Sequence, residues 1–317
     1  MRALTEPDPF AATGSFMGVP GPERLAEAKA AILGVPFDCG IHPSRIGARS
    51  GPAAIRAQSA LVRPHLPPWR DYDPIARLGL VDCGDVTLTP GRPEAAFPPI
   101  EAAVGRLLEA GALPVTMGGD GLGSLPQLRA VARRHADLAV LHIDAHTDAY
   151  PDEEGLEPYN PGSTFTRAAE EGLLDVASSV HVGARGSTAP RGVFEHTRGL
   201  GYPLIDGEEL ARRGSGEVLA ELRHRLEGRK VYLCFDMDVF DPSCAPGVCT
   251  PTWGGWSAAE GLSFLQGLAG LDFVAFDVNT VSPPHDQGGM TAFLAATVMH
   301  HCLFLACAAL GLDNVGD

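Results

Sequence analysis

Basic side chains are scarce in this chain. Lysine and arginine number 24 against 39 aspartates and glutamates, a formal net charge of −15 at pH 7. A nonspecific grip on nucleic acid or anionic lipid would work against the field of the whole molecule, so both are set aside as partners. An acidic surface favours the approach of small cationic molecules, or serves solubility alone. Cysteine is also sparse: Cys39, Cys83, Cys234, Cys244, Cys249, Cys302 and Cys307 form an odd, irregularly spaced set unlike a secreted disulfide scaffold, and they read as reduced thiols. The start, MRALTEPDPFAATGSF, lacks a basic region followed by an apolar core. His300 and His301 interrupt the nearest approach to a long apolar span, Met290 to Leu310, so no bilayer-crossing helix is expected. No internal repeat or low-complexity linker is present. These absences leave a cytoplasmic, enzyme-like protein as the expectation.

Hydrophobic residues make up 45% and charged residues 20% of the 317, an ordinary balance for a chain able to bury a large core. Short apolar runs at Ala30 to Val35, Leu113 to Met117, Leu138 to Ile143, Val231 to Phe235 and Phe273 to Phe276 read as strands. Several are continuous, as expected of strands covered on both faces. The Ala/Leu/Glu/Arg-rich segments between them, such as Glu101 to Ala110 and Gly216 to Leu226, supply the covering helices. Turns are expected at Thr89 to Pro93 and in the longer stretch Asp241 to Gly255. The predicted class is α/β with a mainly parallel sheet, in one domain spanning 1–317, with 1–29 as an N-terminal extension.

Two acidic motifs stand out. LHIDAHTDAY places Asp144, His146 and Asp148 at alternating positions, and CFDMDVFDP, about ninety residues later, repeats the spacing with Asp236 and Asp238. Residues i, i+2 and i+4 of an extended segment face one way, so one imidazole and four carboxylates can reach a common region. Such a set, rich in oxygen with a single histidine, suits divalent ions such as Mn or Mg rather than Zn. Asp120, Asp144, Asp236 and Asp277 each fall within about three residues of a strand's end, where ligands collect in open parallel sheets.

At these motifs the chain resembles the arginase/agmatinase (ureohydrolase) family, with agmatinase the nearest branch. The likeness runs from Phe16 to about Cys302 through FMGVPG, LGVPFD, RIGARSGPAAIR, MGGD, DAHTD, DMDVFDP and VSPPHD. It implies a three-layer α/β/α fold, two manganese ions, hydrolysis of a small cationic guanidino or amidine compound to urea and an amine, and a trimer or hexamer. Carried over by position, Asp144 and Asp236 are shared between the ions, His146 and Asp238 complete one, and Asp148 serves the other. Three positions depart from the family. GGDG puts Gly121 where a histidine of GGDH would ligate the second ion. Pro161 of YNPGSTF replaces a proton-shuttling histidine. Thr280 of VNTVSPP replaces the carboxylate that meets the guanidinium.

Asp148 is the internal candidate to take a proton from the attacking water, and Asp120 is expected behind the ligands, bracing the cluster or its glycine turn. Pro161, Gly162, Ser163 and Thr280 are expected to line the substrate pocket. Among histidines that could replace the missing ones, His142, His285, His300 and His301, His285 is preferred as a catalytic residue because its loop borders the expected pocket. Asp277 lies three residues before Thr280 and faces away, reading as a buried carboxylate bonded to backbone amides. Trp253 and Trp256 read as local packing, and Arg45, Arg49 and Arg56 as ion-pairing groups. The main expectation is a metal-dependent amidinohydrolase with altered substrate choice. The alternative is a noncatalytic homologue serving as a structural or regulatory subunit.

Overall fold

A computed structural model describes residues 14–39, 44–88, 93–152 and 157–313. Eight strands form one sheet: β1 (Ala30–Val35), β2 (Val81–Asp85), β3 (Leu113–Gly118), β4 (Leu138–Ile143), β5 (Val180–Val182), β6 (Leu204–Ile205), β7 (Lys230–Asp236) and β8 (Phe273–Asn279). Their order is β2-β1-β3-β8-β7-β4-β5-β6, and every pairing is parallel. The five strands expected from apolar runs are all present. Most of the expected turn at Thr89 to Pro93 lies outside the described residues.

Alternation along each strand divides the apolar side chains between two cores. In β4, Ala139, Leu141 and Ile143 enter one core and Leu138 and Val140 the other; in β7, Val231, Leu233 and Phe235 oppose Tyr232 and Cys234. Helices α1 (Gly51–Ser59), α2 (Pro74–Leu78), α7 (Gly207–Arg213), α8 (Ser215–Leu226), α9 (Ala258–Gly267) and α10 (Met290–Ala309) contribute to the first core. The second takes residues from α3 (Pro93–Glu109), α4 (Ser124–Ala132) and α5 (Thr164–Glu170), while α6 (Val193–Gly199) packs beside β6. The architecture is therefore the expected three-layer α/β/α sandwich.

Two features modify the expectation. Phe16 is fully buried and its N–H donates to Asp82 on β2 at 2.8 Å, while Arg56 of α1 donates to the same carboxylate at 2.7 and 2.9 Å. The later part of the segment before β1 is thus bound into the domain. Helix α10 is long and apolar enough to cross a membrane by length and composition, but it is mostly buried inside the protein. His300 and His301 sit within it, donating to Pro64 O (3.1 Å) and Thr297 O (2.8 Å), which places both away from the acidic crevice.

Candidate metal centre

Four neighbouring strands in the middle of the sheet, β3, β8, β7 and β4, open at their carboxyl ends into one crevice, where ligands gather in this class of sheet. Ile143 of β4 is level with Phe235 of β7, so Asp144 and Asp236 emerge side by side, and Asp236 is level with Asn279 of β8. A short turn, Met237–Val239, then presents Asp238. Asp148 adopts left-handed backbone (φ 46°), and its carbonyl accepts from Phe165 N at 2.7 Å, which fixes the loop against α5. After β3, Asp120 accepts from Leu122 N (3.0 Å) and from the Cys39 thiol (2.9 Å), bracing the turn that carries Gly121. Gly119 must be a glycine: a methyl there would stand 1.9 Å from Phe37 O.

The donors fall into overlapping groups, one of which joins the Cys234 thiol to His142 and Asp236. Asp144, His146 and Asp238 each offer an atom within 4.8 Å of the others, as do His142, Asp144, Asp148 and Asp236. His146 Nδ1 lies 3.3 Å from Asp144 and 3.5 Å from Asp238. His142 Nε2 stands 3.1 Å from Asp144 Oδ2 and 3.8 Å from Asp236 Oδ1, yet both Nε2 and Asp144 Oδ2 are buried without a hydrogen bond. Such spacing suits shared coordination, since ligands about 2.1 Å from one ion and at right angles are about 3 Å apart. The donor set therefore fits one or two divalent cations.

Like charges at close range dominate the electrostatics. Burial and the neighbouring charges of Asp144 and Asp236 hold the Asp148 carboxyl well above the usual carboxylate range. Burial and Asp144 do the same to Asp238, and raise Asp236 to about 6. Asp144 moves the other way: burial pushes it up, but His146 and His142 outweigh that and hold it well below its ordinary value. Burial lowers both histidines, yet the facing carboxylates prevail, raising His142 to about 10 and His146 well above its ordinary range.

The cluster forms the floor of a cavity of about 390 Å³, also lined by Asp38, Arg45, Asp120, Gly121 and Tyr150. Pro161, Gly162, Ser163 and Thr280, expected from the sequence to line a pocket, lie on its wall. Thr280 is in left-handed backbone (φ 70°), and its hydroxyl accepts from Met237 N (3.0 Å) and donates to Asn279 O (2.7 Å). His285 does not line the cavity: the Pro283–His285 turn carries it elsewhere, so this placement lends a catalytic role for His285 no support. Asp277 is buried as expected, but its partners are side chains, Thr116 (2.7 Å), Ser124 (2.6 Å), Gln127 (3.1 Å) and Tyr232 (3.2 Å), rather than backbone amides. Trp256 packs on Phe264, whereas Trp253 is exposed, and neither lines the cavity. Cys249, also on the wall, was not anticipated; no motif pointed to it.

The fold and the crevice together define an α/β protein with a candidate two-cation centre at the carboxyl edge of its sheet. Comparison with known proteins names the class. The family model described as "Arginase family" matches residues 28–305. A guanidinopropionase from Pseudomonas aeruginosa is 39% identical over 298 residues, covering 93% of this chain and 92% of that one. An agmatinase from Neisseria meningitidis is 38% identical over 276 residues, 86% of each. Among solved structures, the proclavaminate amidino hydrolase from Streptomyces clavuligerus superposes with a TM-score of 0.89 at 34% identity, covering 95% of this chain and 99% of that one. The chain belongs to the arginase family.

Proposed function

We propose that this chain hydrolyses the linear C–N bond of a small guanidino compound, releasing urea and an amine, at a centre holding two divalent cations. The observation that supports this most directly is the convergence of His146 and four aspartates on the floor of one cavity. Four carboxylates balance the charge of two dications, so the glycine at position 121 removes a donor without disturbing that balance. The oxygen-rich donor set favours Mn(II). When bound, such ions lower the pKa of a water and offer hydroxide near neutral pH.

The chain's own residues do the rest. Asp144 and Asp236, fixed on adjacent strands, hold the two halves of the centre in register. Asp148 accepts the proton of the attacking water and passes it to the departing amine. Asp120 keeps the Gly119–Gly121 turn in place, and Pro161, Gly162, Ser163 and Thr280 bound the space for the planar guanidino carbon. Asp152 and Glu157 add acidic character to the cavity, which favours a cationic substrate. Relatives named for agmatine and for guanidino acids both fit this chemistry, and the choice between such substrates belongs to the cavity wall. The reading includes a single domain and a trimer or hexamer.

One observation favours the noncatalytic alternative. The Thr280 hydroxyl is committed to the backbone, so it offers a guanidinium no carboxylate. Metal content and release of urea or ammonia across a panel of guanidino compounds, with Mn, Ni, Co and Zn, separate the two. Turnover that disappears in Asp236→Asn is expected. Protein that takes up none of these metals and turns over nothing rejects the hydrolase.

A further inference from the structure

His142 is the buried titratable side chain of the crevice that the proposed chemistry leaves unused. It lies on the same face of β4 as Asp144, two residues on, and level with Cys234 of β7. Its Nε2, Asp144, Asp148 and Asp236 offer atoms within 4.8 Å of one another. Opposite them, the turn after β3 has nothing to offer: a methyl built on Gly121 would stand 3.2 Å from Asp148 Oδ2 and 3.4 Å from Asp236 Oδ2, and the residue ends there.

The imidazole is also held as a ligand needs to be. Its Nδ1 lies 2.8 Å from Nδ1 of His181 on β5, and its ring packs on Phe165 with centroids 4.3 Å apart. One hydrogen must bridge the two Nδ1 atoms. When His142 donates it, Nε2 is the ring atom left to face the carboxylates, 3.1 Å from Asp144 Oδ2, where a bound cation takes the place that a proton fills in its absence. Ligating histidines commonly donate their other N–H to an outer partner that orients the ring.

We propose that the second cation is ligated by His142 together with Asp144, Asp148 and Asp236, the imidazole coming from strand β4 instead of the turn after β3, with His181 positioning it. This rests on the two-cation reading above. A competing donor exists: Asn279 Oδ1 is buried without a hydrogen bond, 3.9 Å from the methyl position at Gly121, while its Nδ2 faces Ser124 (3.4 Å) and Asp277 (3.5 Å).

The test is titration of the full-length, metal-stripped protein with Mn(II), following free ion and the exchange-coupled pair by electron paramagnetic resonance. Wild type is expected to take up two ions. His142→Phe, which keeps a planar ring against Phe165, is expected to retain the first ion and to weaken the second at least about tenfold, the lower range for losses around a metal. Adding Gly121→His to that variant is expected to restore the second ion, a recovery that misfolding cannot produce; Asn279→Leu is expected to keep both. Two ions bound with unchanged affinity in His142→Phe overturn the inference and leave the two-cation reading standing. Selective loss of the second ion in Asn279→Leu, with His142→Phe unaffected, assigns the ligand to Asn279 and likewise overturns it. Uptake of fewer than two ions by wild type removes both readings together.

Discussion

A β-branched residue in left-handed backbone, as at Thr280, costs of order 1–3 kcal/mol and persists only where its surroundings fix it. Here the hydroxyl ties the loop after β8 to the turn after β7, so the strained residue couples the cavity wall to the segment that carries Asp236 and Asp238. Thr280→Glu places a carboxylate on the cavity wall. It is expected to tighten a guanidino inhibitor about tenfold, since charge-assisted hydrogen bonds contribute about 1.5–3 kcal/mol, while lowering stability through the amide it leaves unpaired. Inhibition constants and urea unfolding, measured together, check both directions. His300 gives a separate prediction in pH. Burial pushes it down to about 4, while the unfolded chain protonates near the ordinary value of about 6.5. The unfolded state therefore binds the extra proton between these values, and stability is lost as pH falls from about 6.5 to 4, by on the order of 3 kcal/mol. His300→Gln, which retains a donor for Pro64 O, is expected to remove that part of the acid sensitivity; melting temperatures of both proteins at pH 7.5 and 4.5 decide it.

At the scale of elements, the tightest constraint is the crossing of β1 and the turn after β3. Gly119 N donates to Val35 O at 2.8 Å, and the space a methyl would need is occupied by the Phe37 carbonyl. Gly119→Ala must push that turn outward, carrying Asp120 and Gly121 with it. It is expected to cost about 1–3 kcal/mol as an overpacking substitution and to weaken Mn(II) binding; denaturant midpoints and metal titration measure the two effects. The same scale explains what the sequence made legible. Strands such as Leu138–Ile143 are buried on both faces, and their unbroken apolar runs announce them. Val81–Asp85 runs into polar residues, while Val180–Val182 and Leu204–Ile205 are too short for any period to register, so β2, β5 and β6 were not anticipated. The aspartates were legible because two motifs repeat one spacing. The position of His142 was half legible: strand parity places it on the face of Asp144, but only the pairing of β4 with β7 brings it to Asp236. His285 was preferred because its loop borders the expected pocket, but the turn Pro283–His285 leaves it off the cavity wall, which the sequence could not show.

For the whole molecule, the crevice gathers like charges that the fold must hold together. Cations bound only by the native state stabilise it, by about 2.7 kcal/mol when free ion stands a hundredfold above the dissociation constant. Exhaustive chelation is therefore expected to lower the melting temperature by several degrees, and Mn(II) to restore it, whether or not turnover survives. Calorimetric scans with and without a chelator measure this, and an unchanged melting temperature would leave the acids without a bound cation to explain them.

The adjacency of β4 and β7, joined only through the long excursion that builds β5 and β6, also dictates timing. A chain emerging from the ribosome exposes Asp144, His146 and Asp148 well before Asp236 and Asp238 exist. Until the later strand slots in beside the earlier one, the nascent protein has only half of the candidate cage, so on the two-cation reading ion capture follows the arrival of β7.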